Sequence, residues 1–376
     1  MILKTDCRLF PGDRPCIPNK QEGIKCDNCN YYSPVEFKIL IIKLDAAGDV
    51  LRTTSLLHAL KEKYKTSHIT WLTKRNSIAL FKNNKLVDEV VEFESPALLA
   101  RLQTEQFDLL IHPDASPTSC ALASVVKAKD KRGYTLNAKG KVIPCNDDAV
   151  EWLEMGAFDE YKKKNKKSYQ QILHEIAGVE YKKGEIIINL SQSELEFKND
   201  FRLKNNLDQY KHLIGLNTGA SMRWQLKQWR AEGYQELITK LNSQKDIGIL
   251  LYGGPEEAGR NEQIKSLFPN VIDTGTSNSL REFFALLDLA DIVITGDTLA
   301  LHAATALKKN IICVFGPTSH NEIEDYGRIK KVIPEMDCLT CYKPVCDFVP
   351  NCMDLISSDD IYSEVIQLVN NFIDLV

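Results

Sequence analysis

KILIIKLDAAGDVLRTTSLLHAL, residues 38–60, is the stretch on which the fold turns. Its first half is a continuous apolar run rich in β-branched residues, the pattern of a strand buried on both faces of a parallel sheet. Gly48 and Asp49 follow, expected as a tight turn and the opening of a helix. Leu51, Leu56, Leu57 and Leu60 then recur on one helical face.

The alternation continues outward from there. ITWLT (69–73), VDEVVEF (87–93) and FDLLIHP (107–113) read as further strands, with helical stretches between them. Strand–helix alternation implies βαβ units and a doubly wound sheet. From about Ala149 to Leu207 the chain reads as helical and charged. A second series then begins with HLIGLNTG (212–219), IGILLYGG (247–254), DIVITGD (291–297) and NIICVFGP (310–317), with helices from Glu232 and Leu280 between. The expected fold class is therefore α/β, with two Rossmann-like domains facing across a cleft. The expected divisions are a Cys-rich extension (1–35), a first domain (36–205), a second domain (206–357) and a terminal helix (358–376). In that helix Ile361, Val365, Leu368, Val369, Phe372 and Val376 recur at helical spacing, and Asp359 and Asp360 sit in the first turn, where they favour the helix dipole. Ligands of such sheets bind beyond the carboxyl ends of the strands, so the gap between the domains is the expected site.

Composition limits the alternatives. The chain has 376 residues, a formal net charge of −4 and 26% charged residues, so no basic excess points to nucleic acid. The run 37–44 is too short and too charged to span a bilayer, and the N-terminus has no apolar signal core. A soluble cytoplasmic protein is expected. No G-x-G-x-x-G follows the first strand and no G-x-x-x-x-G-K-[ST] occurs, against a nicotinamide enzyme or a P-loop NTPase.

Four strand-exit loops carry candidate chemistry. In DAAGDVLRTT (45–54), Asp49 reads equally as a helix N-cap or as a general base at the mouth of the cleft. In NTGASMRWQLKQW (217–229), Thr218, Ser221 and the backbone around Gly219 could hold phosphate oxygens, and Lys227 could neutralise a departing diphosphate. Taken alone, that lysine reads as an ordinary surface residue. In YGGPEE (252–257), the paired glycines permit close backbone approach and Glu256 could accept from a ribose. In TGDTLALHAATAL (295–307), the backbone at Thr298, Leu299 and Ala300 opens a helix suited to anions, Asp297 could grip sugar hydroxyls, and His302 lies about one turn in. A lone helical histidine is more often structural.

Together these loops resemble glycosyltransferase family 9, the heptosyltransferases, in segments that keep the family's order from about residue 37 to 320. The resemblance implies a GT-B fold, a terminal helix that crosses back to the first domain, and inverting transfer from a nucleoside diphosphate sugar with no cofactor required at the reacting carbon. It assigns Asp49 as base and Lys227 to the donor phosphate. Glu256, Asp297, Thr298 and His302 go to the donor, and Gly48 and Arg52 to the acceptor side. Leu299 stands where the family usually has Gly. The family's acceptors are anionic lipopolysaccharide-core sugars on a lipid anchor, and YKKKNKK (161–167) reads either as contact with such phosphates or the inner-membrane surface, or as a solvated face.

The cysteines cluster at the two ends: Cys7, Cys16, Cys26 and Cys29, then Cys338, Cys341, Cys346 and Cys352. Each set contains a C-x-x-C pair, the spacing of a zinc or iron–sulfur knuckle, with free thiols or disulfides as the bland alternative. Two other readings remain open: a non-catalytic GT-B shell using its cysteines for metal-dependent interaction or redox sensing, and a two-domain nucleotide-sugar epimerase.

Overall fold

Both sheets of the computed structural model, which describes residues 3–220 and 222–373, have the same strand order. The first contains β1 (Phe37–Ile42), β2 (Ser67–Thr73), β3 (Glu89–Glu92), β4 (Gln106–His112), β5 (Lys127–Leu136) and β6 (Val142–Pro144), ordered β3-β2-β1-β4-β5-β6. The second contains β7 (His212–Asn217), β8 (Ile247–Tyr252), β9 (Ile272–Asp273), β10 (Ile292–Gly296), β11 (Asn310–Val314) and β12 (Ile329–Val332), ordered β12-β11-β10-β7-β8-β9. Only β6 runs antiparallel to its neighbour. In each sheet the strand order reverses between the first and fourth strands, and the crevice there is where a doubly wound fold binds ligands.

β1 is central because both its faces are buried. Ile39 and Ile41 pack with Leu51, Leu56, Leu57 and Leu60, while Leu40 and Ile42 pack with Leu98, Leu102 and Leu110 on the other side. β5 carries no apolar run; its exposed, lysine-rich pattern suits a strand near the sheet edge, and for the same reason the sequence does not announce it.

The helix after β1 breaks early. Ala47–Thr53 stops where the Thr54 and Ser55 hydroxyls bond back to Leu51 O (2.7 Å) and Arg52 O (2.9 Å), and Leu56–Lys63 restarts the chain in a new direction. Gly48 lies inside the first of these helices, not in a turn. Asp49 is a first-turn residue with no capping bond, which corrects the N-cap reading.

Two domain expectations change. Gln192–Lys204, placed in the first domain by a boundary at 205, packs on the helix Leu280–Leu287 of the second, and Lys198 pairs with Asp288 at 2.8 Å. The boundary thus lies in the extended segment 178–190, which also interrupts the expected helical region. That helix begins with a capping box, Ser191 with Glu194, and the Glu194 carboxylate then bridges Arg281 (2.6 Å) in its own lobe and Lys82 (2.8 Å) in the first. The terminal helix Ser358–Ile373 does not cross back. Ile361 and Val365 enter the core of the second lobe, and Lys240, on the helix Ala231–Leu241, bonds Ser358 at 3.0 Å. An amphipathic pattern specifies a buried face, not the lobe that buries it. Val376 lies outside the described residues.

Residues 3–35 of the extension dock at the amino ends of β2 and β3, where Arg8 reaches Asp88 and Ser67 O. This is the end of the sheet away from the cleft.

Candidate active site

The carboxyl ends of β1, β7 and β10 open onto one cleft of about 880 Å³ between the lobes, within the usual size range for small-molecule sites. On the first lobe Asp49 projects into it, with its side chain 36% exposed and Arg52 paired to it at 2.8 Å. Arg52 is held from behind: its guanidinium lies 3.6 Å from the centre of the Tyr169 ring, and the Tyr169 hydroxyl sits 3.2 Å from Thr53 Oγ1. Beneath them Lys43, at the end of β1, is ion-paired with Asp114 after β4, so a buried pair straddles the point where the strand order reverses. Burial alone would push the Asp49 carboxyl up, but Arg52, Lys43 and His302 hold it below the usual carboxylate value. It is ionised at neutral pH and able to accept a proton.

On the second lobe Lys227 reaches Asp297 at 2.7 Å. The reason is local. Gly296 ends β10 with no side chain, and a Cβ there would stand 2.2 Å from Lys227 O, so the loop after β7 can lie directly across the start of the next helix. Lys227 also stands 5.6 Å from the Trp224 ring centre. Burial opposes the charge on Asp297, yet Lys227 and His302 depress its carboxyl far below the ordinary range. One Lys227 proton is committed to Asp297 and the ammonium has others to offer.

The structure brings Gly48, Asp49, Arg52, Gly219, Lys227, Glu256, Asp297, Thr298, Leu299, Ala300 and His302 to the walls of this one cleft. It separates others. Thr218 is fully buried, with its hydroxyl donating to Asn261 Oδ1 at 2.7 Å, so it does not reach the cleft as expected. Ser221 lies outside the described residues. The Thr298 hydroxyl accepts from Ala300 N–H at 3.2 Å and so caps its own helix before any phosphate is considered. Of the two carboxylates after the glycine pair, Glu257 is buried and accepts from Gly254 N–H at 2.7 Å, whereas Glu256 is exposed at the rim.

His302 is 5% exposed, and burial together with Arg52 pushes its imidazole down to about 4, so it is neutral at physiological pH. Its ring packs against Gly48 of the other lobe.

Sequence reasoning missed Lys43, Asp114, Tyr169, Glu322 and Tyr342. Asp114 follows a strand as Asp49 does, so the strand-exit rule would have found it. Lys43 ends the β1 run and reads there as an interruption of it, Tyr169 opens a helix, and Glu322 and Tyr342 lie in loops, with no local signal of function.

None of the cysteines is in a disulfide, and among the described residues no three His, Cys, Asp or Glu side chains converge as a metal cage. The C-terminal four are nevertheless neighbours: burial, then the nearness of Cys341, Cys346 and Cys338, raises the Cys352 thiol to about 11. In YKKKNKK much of the charge is answered locally, Lys162 by Asp159 and Lys167 by Glu151 and Glu175. No helix among the described residues is long and apolar enough to cross a membrane.

Residues 96–350 match the family model glycosyltransferase family 9 (heptosyltransferase). The chain is 22% identical over 310 residues to the lipopolysaccharide core heptosyltransferase OpsX of Haemophilus influenzae, covering 78% of this chain and 83% of that protein. Among solved structures, a glycosyl transferase family 9 protein from Veillonella parvula superposes with a TM-score of 0.70 at 17% identity, over 90% of this chain and 98% of that one. The E. coli heptosyltransferase WaaC with ADP-2-deoxy-2-fluoro heptose gives 0.60 at 18% identity, over 88% and 99%.

Proposed function

The chain belongs to glycosyltransferase family 9, the heptosyltransferases, and from this premise we propose that it moves a heptose from ADP-heptose onto a hydroxyl of a lipopolysaccharide-core acceptor, with inversion at the anomeric carbon. One observation carries the reading: an ionised carboxylate, Asp49, on one lobe and an ammonium, Lys227, on the other open onto the same cleft.

Asp49 takes the proton of the acceptor hydroxyl. That oxygen attacks the anomeric carbon from the face opposite the diphosphate, the carbon–oxygen bond to phosphate breaks, and the nucleoside diphosphate leaves with the electron pair. Lys227 meets the charge that grows on it, where preorganised donors are most effective. Arg52 keeps Asp49 ionised and directed into the cleft. Closure of the lobes aligns the partners and excludes water. Asp297 orients Lys227 and presents its second oxygen to sugar hydroxyls. Glu256, exposed at the rim, suits a ribose.

We place the reaction in the cytoplasm, at the inner face of the membrane that carries a glycolipid acceptor, with the basic segment 161–167 as the contact. The experiment is direct. Purified protein is incubated with ADP-heptose and a lipopolysaccharide-core acceptor, and ADP release and acceptor mass are followed. A mass gain of one heptose supports the reading; ADP-heptose that neither binds nor turns over removes it.

A further inference from the structure

A further carboxylate of the cleft wall lies near Asp49 and Asp297. Glu322 is 8% exposed and lines the cleft, with Arg52 near enough to act on its charge. Its Oε1 accepts from the Tyr342 hydroxyl at 2.8 Å, and that hydroxyl oxygen itself accepts from Ser319 N–H at 3.3 Å.

The placement of Tyr342 is built with care. It sits within the Cys-rich loop, between Cys341 and Cys346. Tyr342 N–H donates to Pro317 O at 2.8 Å and Thr340 N–H donates to Gly316 O at 3.2 Å, so the loop is stitched to the exit of β11. Thr340 and Tyr342 both adopt left-handed backbone, φ 60° and 52°, unusual for side chains of this size and typical of positions whose geometry the site requires. Gly316 leaves room for this: a Cβ there would stand 2.4 Å from Cys352 Sγ. From the other lobe Lys162 lies 4.8 Å from the Tyr342 ring centre, and Tyr169 N–H donates to Glu322 O at 2.9 Å.

The chemistry of the pair selects its ligand. Burial pushes the Glu322 carboxyl up against the opposing pull of Arg52 and the Tyr342 hydroxyl, and Asp297 and Asp49 add to it, so further negative charge beside it is disfavoured and a phosphate or an anionic acceptor group fits poorly there. The open Glu322 oxygen and the remaining lone pair on Tyr342 are both acceptors, and they call for neutral O–H donors side by side. We propose that Glu322 and Tyr342 form a subsite that reads two neighbouring hydroxyls of the transferred sugar, and that the Cys-rich loop serves the reaction by delivering Tyr342. The proposal rests on the glycosyl-transfer reading above.

Calorimetric titration of Glu322→Gln and Tyr342→Phe with ADP alone and with ADP-heptose tests it, alongside steady-state kinetics and donors lacking single sugar hydroxyls. Affinity for ADP is expected to stay within about twofold, and affinity for ADP-heptose to fall about tenfold or more. The variants should also lose the wild type's preference for the fully hydroxylated donor, with acceptor KM unchanged. Equal loss for ADP, or an unchanged donor with a raised acceptor KM, overturns the subsite. Tyr342→Phe keeps the ring and the loop, so a fold defect in Glu322→Gln does not decide the matter. Variants that bind and transfer like wild type remove the subsite alone, whereas a wild type that ignores every nucleotide sugar removes the parent reading with it.

Discussion

A β-carbon on Gly48 would stand 2.9 Å from His302 Cδ2, so the two lobes meet at this point with no space for another atom. The contact sits one residue from Asp49 and on the helix that Asp297 precedes, and it sets the separation of the two halves of the site. Gly48→Ala should fold, bind ADP normally and lose about a hundredfold in kcat, the scale of a reacting pair displaced by an ångström. Stopped-flow or steady-state rates beside an ADP titration check it.

Asp49→Asn removes the proton acceptor while keeping shape and the helix turn. Turnover should fall at least about a hundredfold with donor affinity retained. A variant with near-normal turnover would show that another group takes the proton.

The Lys227–Asp297 pair makes a stability prediction distinct from its chemical one. Lys227→Met strands a mostly buried carboxylate and should cost on the order of 3 kcal/mol of unfolding free energy. Adding Asp297→Asn should recover part of that loss, while the double variant stays weak for ADP. Urea denaturation of the single and double variants measures the coupling.

His302 gives an acid-stability signature. Its imidazole titrates near 6.5 when unfolded and about 4 when folded. Between those values the unfolded chain binds a proton that the native state refuses, so stability is full above about 6.5 and is lost as pH falls towards 4, by at most about 3 kcal/mol. Asp49 and Asp297, both depressed, act in a separate window below their unfolded value near 3.9. His302→Gln should therefore narrow the difference in denaturation midpoint between pH 4.5 and 7.5, with His112 and His174, also pushed down by burial, keeping part of it, and leave the lower window in place.

The parallel sheets were legible because β1, β7, β8, β10 and β11 are buried on both sides and must be apolar throughout. β5 is not so constrained and went unread. Asp49, Lys227 and Asp297 were legible because doubly wound sheets present ligands to strand-exit loops, so position along the chain predicts position in space. Thr218 failed by the same logic, since a residue one step from β7 can turn inward as easily as outward. Glu322 and Tyr342 are two residues of unremarkable local pattern, joined only by the path of a loop pinned at Gly316 and Pro317. The destination of the terminal helix depends on Ile361 and Val365 finding a groove beside Lys240, which no periodicity encodes.

Because that helix stays at home, the described chain passes between the lobes once, through residues 178–190. The molecule is in effect two pieces on a single tether. A protease site engineered into that tether should leave a severed protein whose halves remain associated through Glu194 with Lys82, and Tyr169 N–H with Glu322 O. Separately expressed halves should reassemble by complementation.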